Sequence, residues 1–389
     1  MEQKLSSVPI GDSNIETRGF VCHYQFEDGS SQFVFLQEAD RDSGVFVINH
    51  SLSFSTKSYV QVECSCKGML LLSSIGQEAI EFHVFDPNSR QSVTLPQPGI
   101  DRRRIIRSGL AFDGVNGHYQ VVLVHVAETE EGSAEACFDG LQFQVFSSKT
   151  GVWRSFIPSN LFLPVPVPEI EFPELRVTPL YCNGAIHWEI NGYLLLYQVE
   201  NDHCELVELP NVFNDWCWQS TPTYRRCFWE SKGRVHYCYT DFEGVHSWVL
   251  LNEQDHNEYS YYNIYDRQKF RWALAHSVDH EDLLPLKHLD QCFFQHAQWE
   301  PNHASPLSFD EDLETMYLGF QGKLISYSRR SKVSEEICSF TFPGRDYSCC
   351  SFFPHVYGDD LQHKVTEGGV VQMGSIDLPI SEEIISFSF

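Results

Sequence analysis

The chain contains no stretch approaching the roughly 20 consecutive apolar residues of a membrane-spanning helix. Its opening residues, Met1 to Ser13, are polar and lack the apolar core of a secretory signal. Basic charge is also scarce. In 389 residues, 27 Lys and Arg stand against 53 Asp and Glu, a formal charge of −26. Such a surface repels phosphate backbones and anionic lipid unless a basic patch is segregated on one face, so neither nucleic acid nor membrane is an expected partner. The nearest candidate patch, Arg102, Arg103, Arg104 and Arg107 beside Pro98 and Gly99, reads as a solvated loop.

Chemistry-bearing motifs are missing as well. No GxGxxG, GxxxxGK[ST] or GxSxG occurs, which removes the usual nucleotide-binding and α/β-hydrolase readings. Cys64-x-Cys66 and Cys349-Cys350 lack the paired CxxC sets of a tetrahedral zinc site, and in a strand Cys64 and Cys66 share one face, so buried thiols are expected there. His276 and His280 have i, i+4 spacing without the Glu of HExxH. Neither catalytic residues, nor a metal, nor a cofactor is therefore expected. The 13 cysteines are scattered, odd in number and often embedded in apolar runs, the usage of reduced thiols, which places the chain in the cytoplasm, the nucleus or both.

Helical periodicity is nearly absent, one short helix being expected near Asp279 to Gln291. Runs of Val, Ile, Phe, Tyr and Trp recur between Gly, Pro, Asn and Asp clusters, the pattern of an all-β chain. Four runs share an X-Gly pair with apolar residues after it: Lys67-Gly68, Asn183-Gly184, Lys232-Gly233 and Gln321-Gly322. Each reads as a hairpin turn in which Gly supplies positive φ. A strand–polar turn–strand module follows, as in Phe82 to Pro96 (FHVFDPNSRQSVTLP), Phe143 to Phe156, Tyr193 to Pro210 and Tyr261 to Leu274. The glycine spacings approximate two, one and two units of about 50 residues, the period of kelch-type blades. Adding an N-terminal unit (Val21 to Ile48) and a C-terminal one (Tyr347 to Phe389) predicts a kelch-like β-propeller of about seven blades, with six to eight allowed. Residues 1–16 are expected to be a disordered segment and 17–389 a single propeller. The alternating tail Ile384 to Phe389 (IISFSF) is expected to pair with an N-terminal strand and close the ring.

The ordered set VECSCKGMLLLSS (Val62 to Ser74), FDPNSRQSVTLP (Phe85 to Pro96), LAFDG…HYQVVLV (Leu110 to Val124), VFSSKTGVWRSF (Val145 to Phe156) and YCNGAIHWEI (Tyr181 to Ile190) resembles the F-box-associated region of plant F-box proteins, and CFWESKGRVHYCYTDFEG (Cys227 to Gly244) resembles the same family's second half. The resemblance implies a protein-binding propeller, the substrate-recognition part of an SCF-type E3 ubiquitin ligase. No F-box is expected within these 389 residues, since only about twenty mostly polar residues precede the first β unit. The expected partner is thus an unidentified protein target, with a Skp-type adaptor and cullin joining only if an F-box is supplied. The alternative is a glycan-processing enzyme of sialidase or glycosidase type, because SSKTGVWRSF carries the Ser, Gly and Trp of the sialidase turn motif; Lys149 occupies the place of its Asp. The aromatic-rich stretch NDWCWQSTPTYRR supplies the candidate partner-binding residues Trp216, Trp218, Tyr224, Arg225 and Arg226, types that dominate interface hot spots.

Overall fold

The structure is a computed structural model, which describes residues 17–26, 30–40, 45–54, 59–75, 80–100, 105–113, 116–126, 140–158, 161, 177–190, 192–210, 226–240, 244–252, 270–283, 305–320, 323–341, 347–357 and 386–387. The expected N-terminal segment 1–16 lies outside them.

The described strands form six antiparallel sheets. β1 (Thr17–Phe26), β2 (Ser31–Asp40) and β3 (Val45–Phe54) belong to the first; β4 (Tyr59–Cys66), β5 (Met69–Ile75), β6 (Ile80–Asp86) and β7 (Gln91–Thr94) make the second. The third holds β8 (Ile105–Asp113), β9 (His118–Val126), β10 (Leu141–Ser147) and β11 (Val152–Phe156), and the fourth β12 (Leu180–Cys182), β13 (Ala185–Ile190), β14 (Tyr193–Gln198) and β15 (His203–Glu208). The fifth comprises β16 (Arg226–Ser231), β17 (Arg234–Thr240), β18 (Gly244–Asn252) and β19 (Phe270–Asp279), followed by the single turn α1 (His280–Leu283). The sixth has β20 (Ser305–Asp310), β21 (Thr315–Phe320), β22 (Lys323–Ser328) and β23 (Val333–Thr341); β24 (Tyr347–Tyr357) then returns to β1, and β25 (Ser386–Phe387) lies on β23.

This is a six-bladed propeller, at the lower end of the expected range. Two facts explain the lower number. The N-terminal and C-terminal units are one blade, because β24 pairs with β1 from Thr17↔Tyr357 to Phe26↔Tyr347. The glycine of Gln321-Gly322 belongs to the connection between β21 and β22, second and third strands of the sixth sheet, whereas the other three X-Gly turns join first and second strands. The spacing from Gly233 to Gly322 therefore spans one blade. Closure also corrects the expectation for the tail: Phe387 and Ser386 pair with Phe340 and Thr341 of β23 and not with an N-terminal strand. The physical reason is the larger ladder that β24 offers to β1, together with Phe352 and Phe353 packing toward opposite neighbours.

Hydrophobic clusters fill all six boundaries between adjacent blades, so the ring is closed among the described residues. Side chains alternate across each strand. On β9, Val122 and Val124 face the fourth blade while Val121 and Leu123 face the second. Both faces of an inner strand are thus buried, which is why these segments read as continuous apolar runs. Cys64 and Cys66 both enter the cluster between second and third blades, as expected of buried thiols. Where blades three and four come closest, Gly109 lies under the Trp188 ring; a Cβ there would stand 2.8 Å from Cζ2. Trp188 is fully buried, and its Nε1 donates to the Ser108 carbonyl at 2.6 Å.

The repeated Leu-Pro endings also have a packing role. Leu95 and Leu209 are buried, and each following blade sends an outer-strand tryptophan back to the preceding residue or proline: Trp153 Nε1 donates to Pro96 O at 2.7 Å and Trp272 Nε1 to Glu208 O at 2.9 Å.

Candidate functional site

The two ends of the propeller are built differently. At one end, first and second strands are joined by Lys67-Gly68, Asn183-Gly184 and Lys232-Gly233, with φ positive at both residues of each pair (44° and 84°, 50° and 76°, 51° and 72°). These are the tight turns whose twist matches flanking strands. The third and sixth blades add a side-chain acceptor at this turn: Asp113 accepts from Asn116, whose neighbour Gly117 has φ of 67°, and Asp310 accepts from the Asp312 and Leu313 amides. The third-to-fourth strand turn of the second blade is held the same way, Asp86 accepting from the Asn88 amide at 2.9 Å and the Ser89 hydroxyl at 2.7 Å.

This end is fastened from blade to blade. Asn183 Nδ2 donates to the Gly233 carbonyl at 2.6 Å, Lys232 Nζ stands 3.4 Å from Glu311 and 3.1 Å from Asp312, and the Lys67 ammonium lies 5.8 Å above the Tyr181 ring. At the opposite end the strands are joined by long connections: 127–140 between β9 and β10, 157–179 between β11 and β12, 210–225 ahead of β16, and 284–304 ahead of β20. Antiparallel order puts all four at that same end. The connection 253–269, between β18 and β19, is a long one at the fastened end.

A buried polar cluster sits where the inner strands begin, beneath the long connections. The leading strands β4, β8, β12, β16, β20 and β24 approach one another around the axis. Arg226, first residue of β16, ion-pairs through Nη1 with Glu189 Oε1 near the end of β13; they are 7% and 3% exposed. Arg107 on β8 donates from Nε to the Glu189 carbonyl at 2.7 Å and from Nη1 to the Ile106 carbonyl at 2.8 Å. Three adjacent blades are thereby tied together. Burial pushes the Glu189 carboxyl upward in pKa, and the neighbouring Arg226 and Arg107 charges pull it back. Desolvation raises Tyr237 well above the usual phenol, the Glu189 charge adding to the shift and the Arg226 charge opposing it. Further along the channel, both oxygens of Glu63 accept serine hydroxyls, Ser73 and Ser108, each at 2.5 Å, and Ser65 meets His355 Nδ1 at 2.8 Å.

Both carboxylates of this region are thus engaged, buried Glu189 through one oxygen and half-buried Glu63 through two. A hydrolase of the glycosidase type needs two carboxylates facing one scissile bond; Glu189 is engaged by arginine and Glu63 by two serines. The cluster's chemistry is that of a tie between blades.

Of the candidate partner-binding residues, Trp216, Trp218, Tyr224 and Arg225 lie outside the described residues. The strand ends place their connection at the long-connection end, directly ahead of Arg226. Arg226 is not a rim residue: its guanidinium is in the interior, because Glu189 from the neighbouring blade waits there. Arg107 is corrected in the same way, from a solvated loop to a buried strand position; Arg102 to Arg104 lie outside the described residues. Glu189 was missed, although a lone carboxylate inside the apolar run AIHWEI signals a buried partner. Among the described residues no group of three or more His, Cys, Asp or Glu could hold a metal ion, and no helix is long and apolar enough to cross a membrane.

Residues 37–284 match the family model "F-box protein At3g26010-like, beta-propeller". A curated relative, the "Putative F-box protein At4g21240" of Arabidopsis thaliana, is 25% identical over 182 residues, covering 46% of this chain and 41% of the relative. The match therefore spans less than half of that relative's length. Among solved structures, TolB from Acinetobacter baumannii aligns over 88% of this chain and 67% of its own, with TM-score 0.43 and 8% identity. A protein of unknown function from Desulfotomaculum acetoxidans aligns over 87% and 90%, with TM-score 0.38 and 10% identity. With the matched stretch running from β2 to the end of α1, through most of the ring, this chain belongs to the F-box protein At3g26010-like β-propeller family.

Proposed function

We propose that this propeller is a protein-binding module, the substrate-recognition part of an SCF-type E3 ubiquitin ligase, and that it takes its target at the long-connection end. The observation that supports this is the asymmetry of the two ends. One has its turns tied to the next blade, whereas the other carries the long connections 127–140, 157–179, 210–225 and 284–304 on a rigid support. Long loops on a rigid scaffold are where recognition is usually placed. The aromatic residues Trp216, Trp218 and Tyr224 belong to one of these connections and supply the residue types of interface anchors. The module acts by binding and not by catalysis, in the cytoplasm or nucleus, and engages a Skp-type adaptor and cullin only through an F-box.

Affinity purification with mass spectrometry, using the chain and a W216A/W218A variant with the same melting temperature, tests the reading. The expected result is a protein retained by the parent chain and lost from the variant, and ubiquitinated by reconstituted ligase only when an F-box is fused to the propeller. Turnover of a glycoside by the purified chain, or retention unchanged by the substitutions, would overturn it.

A further inference from the structure

Cys227 and Cys238 stand directly opposite each other in the β16–β17 ladder. Ser231↔Arg234 closes the two-residue turn, and the pair classes alternate from there, so Cys227↔Cys238 falls on the hydrogen-bonded class. Opposed residues of that class project to one face with Cα atoms about 5.5 Å apart, inside the roughly 4.4–6.8 Å span that a disulfide bridges. The side chains share one face: Cys227 packs against the cluster that contains Cys238. Both are free cysteines. Their accessibility differs, Cys238 being buried and Cys227 half-buried, so a reagent from solution reaches Cys227 first.

We propose that Cys227 and Cys238 form a dithiol that low-molecular-weight disulfides, of which glutathione disulfide is the type, convert to an intramolecular disulfide. The Cys227 thiolate attacks one sulfur of the reagent, making a mixed disulfide and releasing one thiol. Cys238 then loses its proton to solvent and attacks the Cys227 sulfur, releasing the second thiol. Two protein thiols are oxidised and one external disulfide is reduced to two thiols, so electrons and atoms balance. Burial holds Cys238 in the thiol form and makes this second step the slower one. The bond would fasten β16 to β17 one residue after Arg226, where the connection carrying Trp216 and Trp218 rejoins the blade. The inference stands apart from the proposed function, since its test asks only about thiols.

The reduced full chain is treated with glutathione disulfide, alkylated, digested without reductant and mapped by mass spectrometry. The expected products are a peptide pair joined through Cys227 and Cys238 in the parent chain, a mixed disulfide accumulating on Cys227 in Cys238→Ser, and no bond to Cys238 in Cys227→Ser. Glutathione persisting on Cys227 of the parent chain with Cys238 alkylated, Cys238 joined to another cysteine, or both thiols still alkylated after the other cysteines have reacted would overturn the proposal. If Cys238→Ser does not fold, Cys227→Ser, altered at a half-buried position, decides the matter by loss of the joined peptides while the parent chain forms them.

Discussion

Removing Glu189 and removing Arg226 are expected to cost different amounts, because only one of the two side chains can escape its charge. In Glu189→Ala the Arg226 guanidinium is left 7% exposed with its carboxylate gone. Guanidinium does not deprotonate in proteins, so the full penalty of a broken buried pair, about 3–5 kcal/mol, is expected. In Arg226→Leu the stranded group is Glu189, whose pKa burial already pushes upward. It takes up a proton, and the cost grows by only about 1.4 kcal/mol for each pH unit that the solution stands above the ordinary pKa of an unfolded glutamate. Arg226→Leu is therefore the milder variant at pH 6, and the gap narrows at pH 8. The double variant Glu189→Ala/Arg226→Leu removes both charges and is expected to be more stable than Glu189→Ala, with a coupling of about 2–4 kcal/mol in the cycle. Urea unfolding followed by tryptophan fluorescence, at pH 6 and pH 8, measures all four corners. A loss below about 1 kcal/mol for Glu189→Ala, the range of exposed ion pairs, would refute the buried tie between blades three, four and five.

Acid should destabilise the fold below the ordinary histidine range. Burial lowers His23 to about 3 and His187 and His236 to about 4. Between pH 6.5 and about 4 the unfolded chain binds protons that the folded chain refuses, so stability present above pH 6.5 is lost on acidification, by up to about 1.4 kcal/mol per pH unit for each histidine. A melting temperature in His187→Gln that falls as steeply from pH 6.5 to 5 as in the parent chain would contradict this. Gly109→Ala places a methyl 2.8 Å from the Trp188 ring and 2.9 Å from Ile186 Cγ2; overpacking of about 1–3 kcal/mol is expected in chemical denaturation, and an unchanged midpoint would mean that the third and fourth blades are less closely joined. Among the described residues, deleting 381–389 removes the Phe340↔Phe387 and Thr341↔Ser386 pairs, and it should shift the thermal midpoint by less than about 2 °C. Ending the chain at residue 346 removes the whole β24–β1 ladder, so cooperative calorimetric melting should be lost; a sharp transition in that truncation would show that the ring does not depend on β24.

Local chemistry was legible without the fold. Lys67-Gly68, Asn183-Gly184 and Lys232-Gly233 turn where expected, since positive φ at both positions is a property of the dipeptide and its flanking strands. Asp86 organises its turn through an oxygen two residues from the amide it accepts. The all-β character and the repeat follow from the same short-range signals, and the ordered motifs from Val62 to Ile190 carry the family resemblance. Blade number and burial were decided elsewhere. β24 finds β1 across more than 300 residues of sequence, from Phe26↔Tyr347 to Thr17↔Tyr357, and no local pattern distinguishes a strand that closes the first blade from one that starts a seventh. Arg226, in an aromatic-rich polar stretch, has the composition of a rim; it is interior because the neighbouring blade presents Glu189 to it, and Arg107 is interior because β13 offers a carbonyl. Composition sets what a side chain can bond to, whereas the ring, by bringing distant strands within a few ångströms of each other, decides what it does bond to and whether water is left beside it.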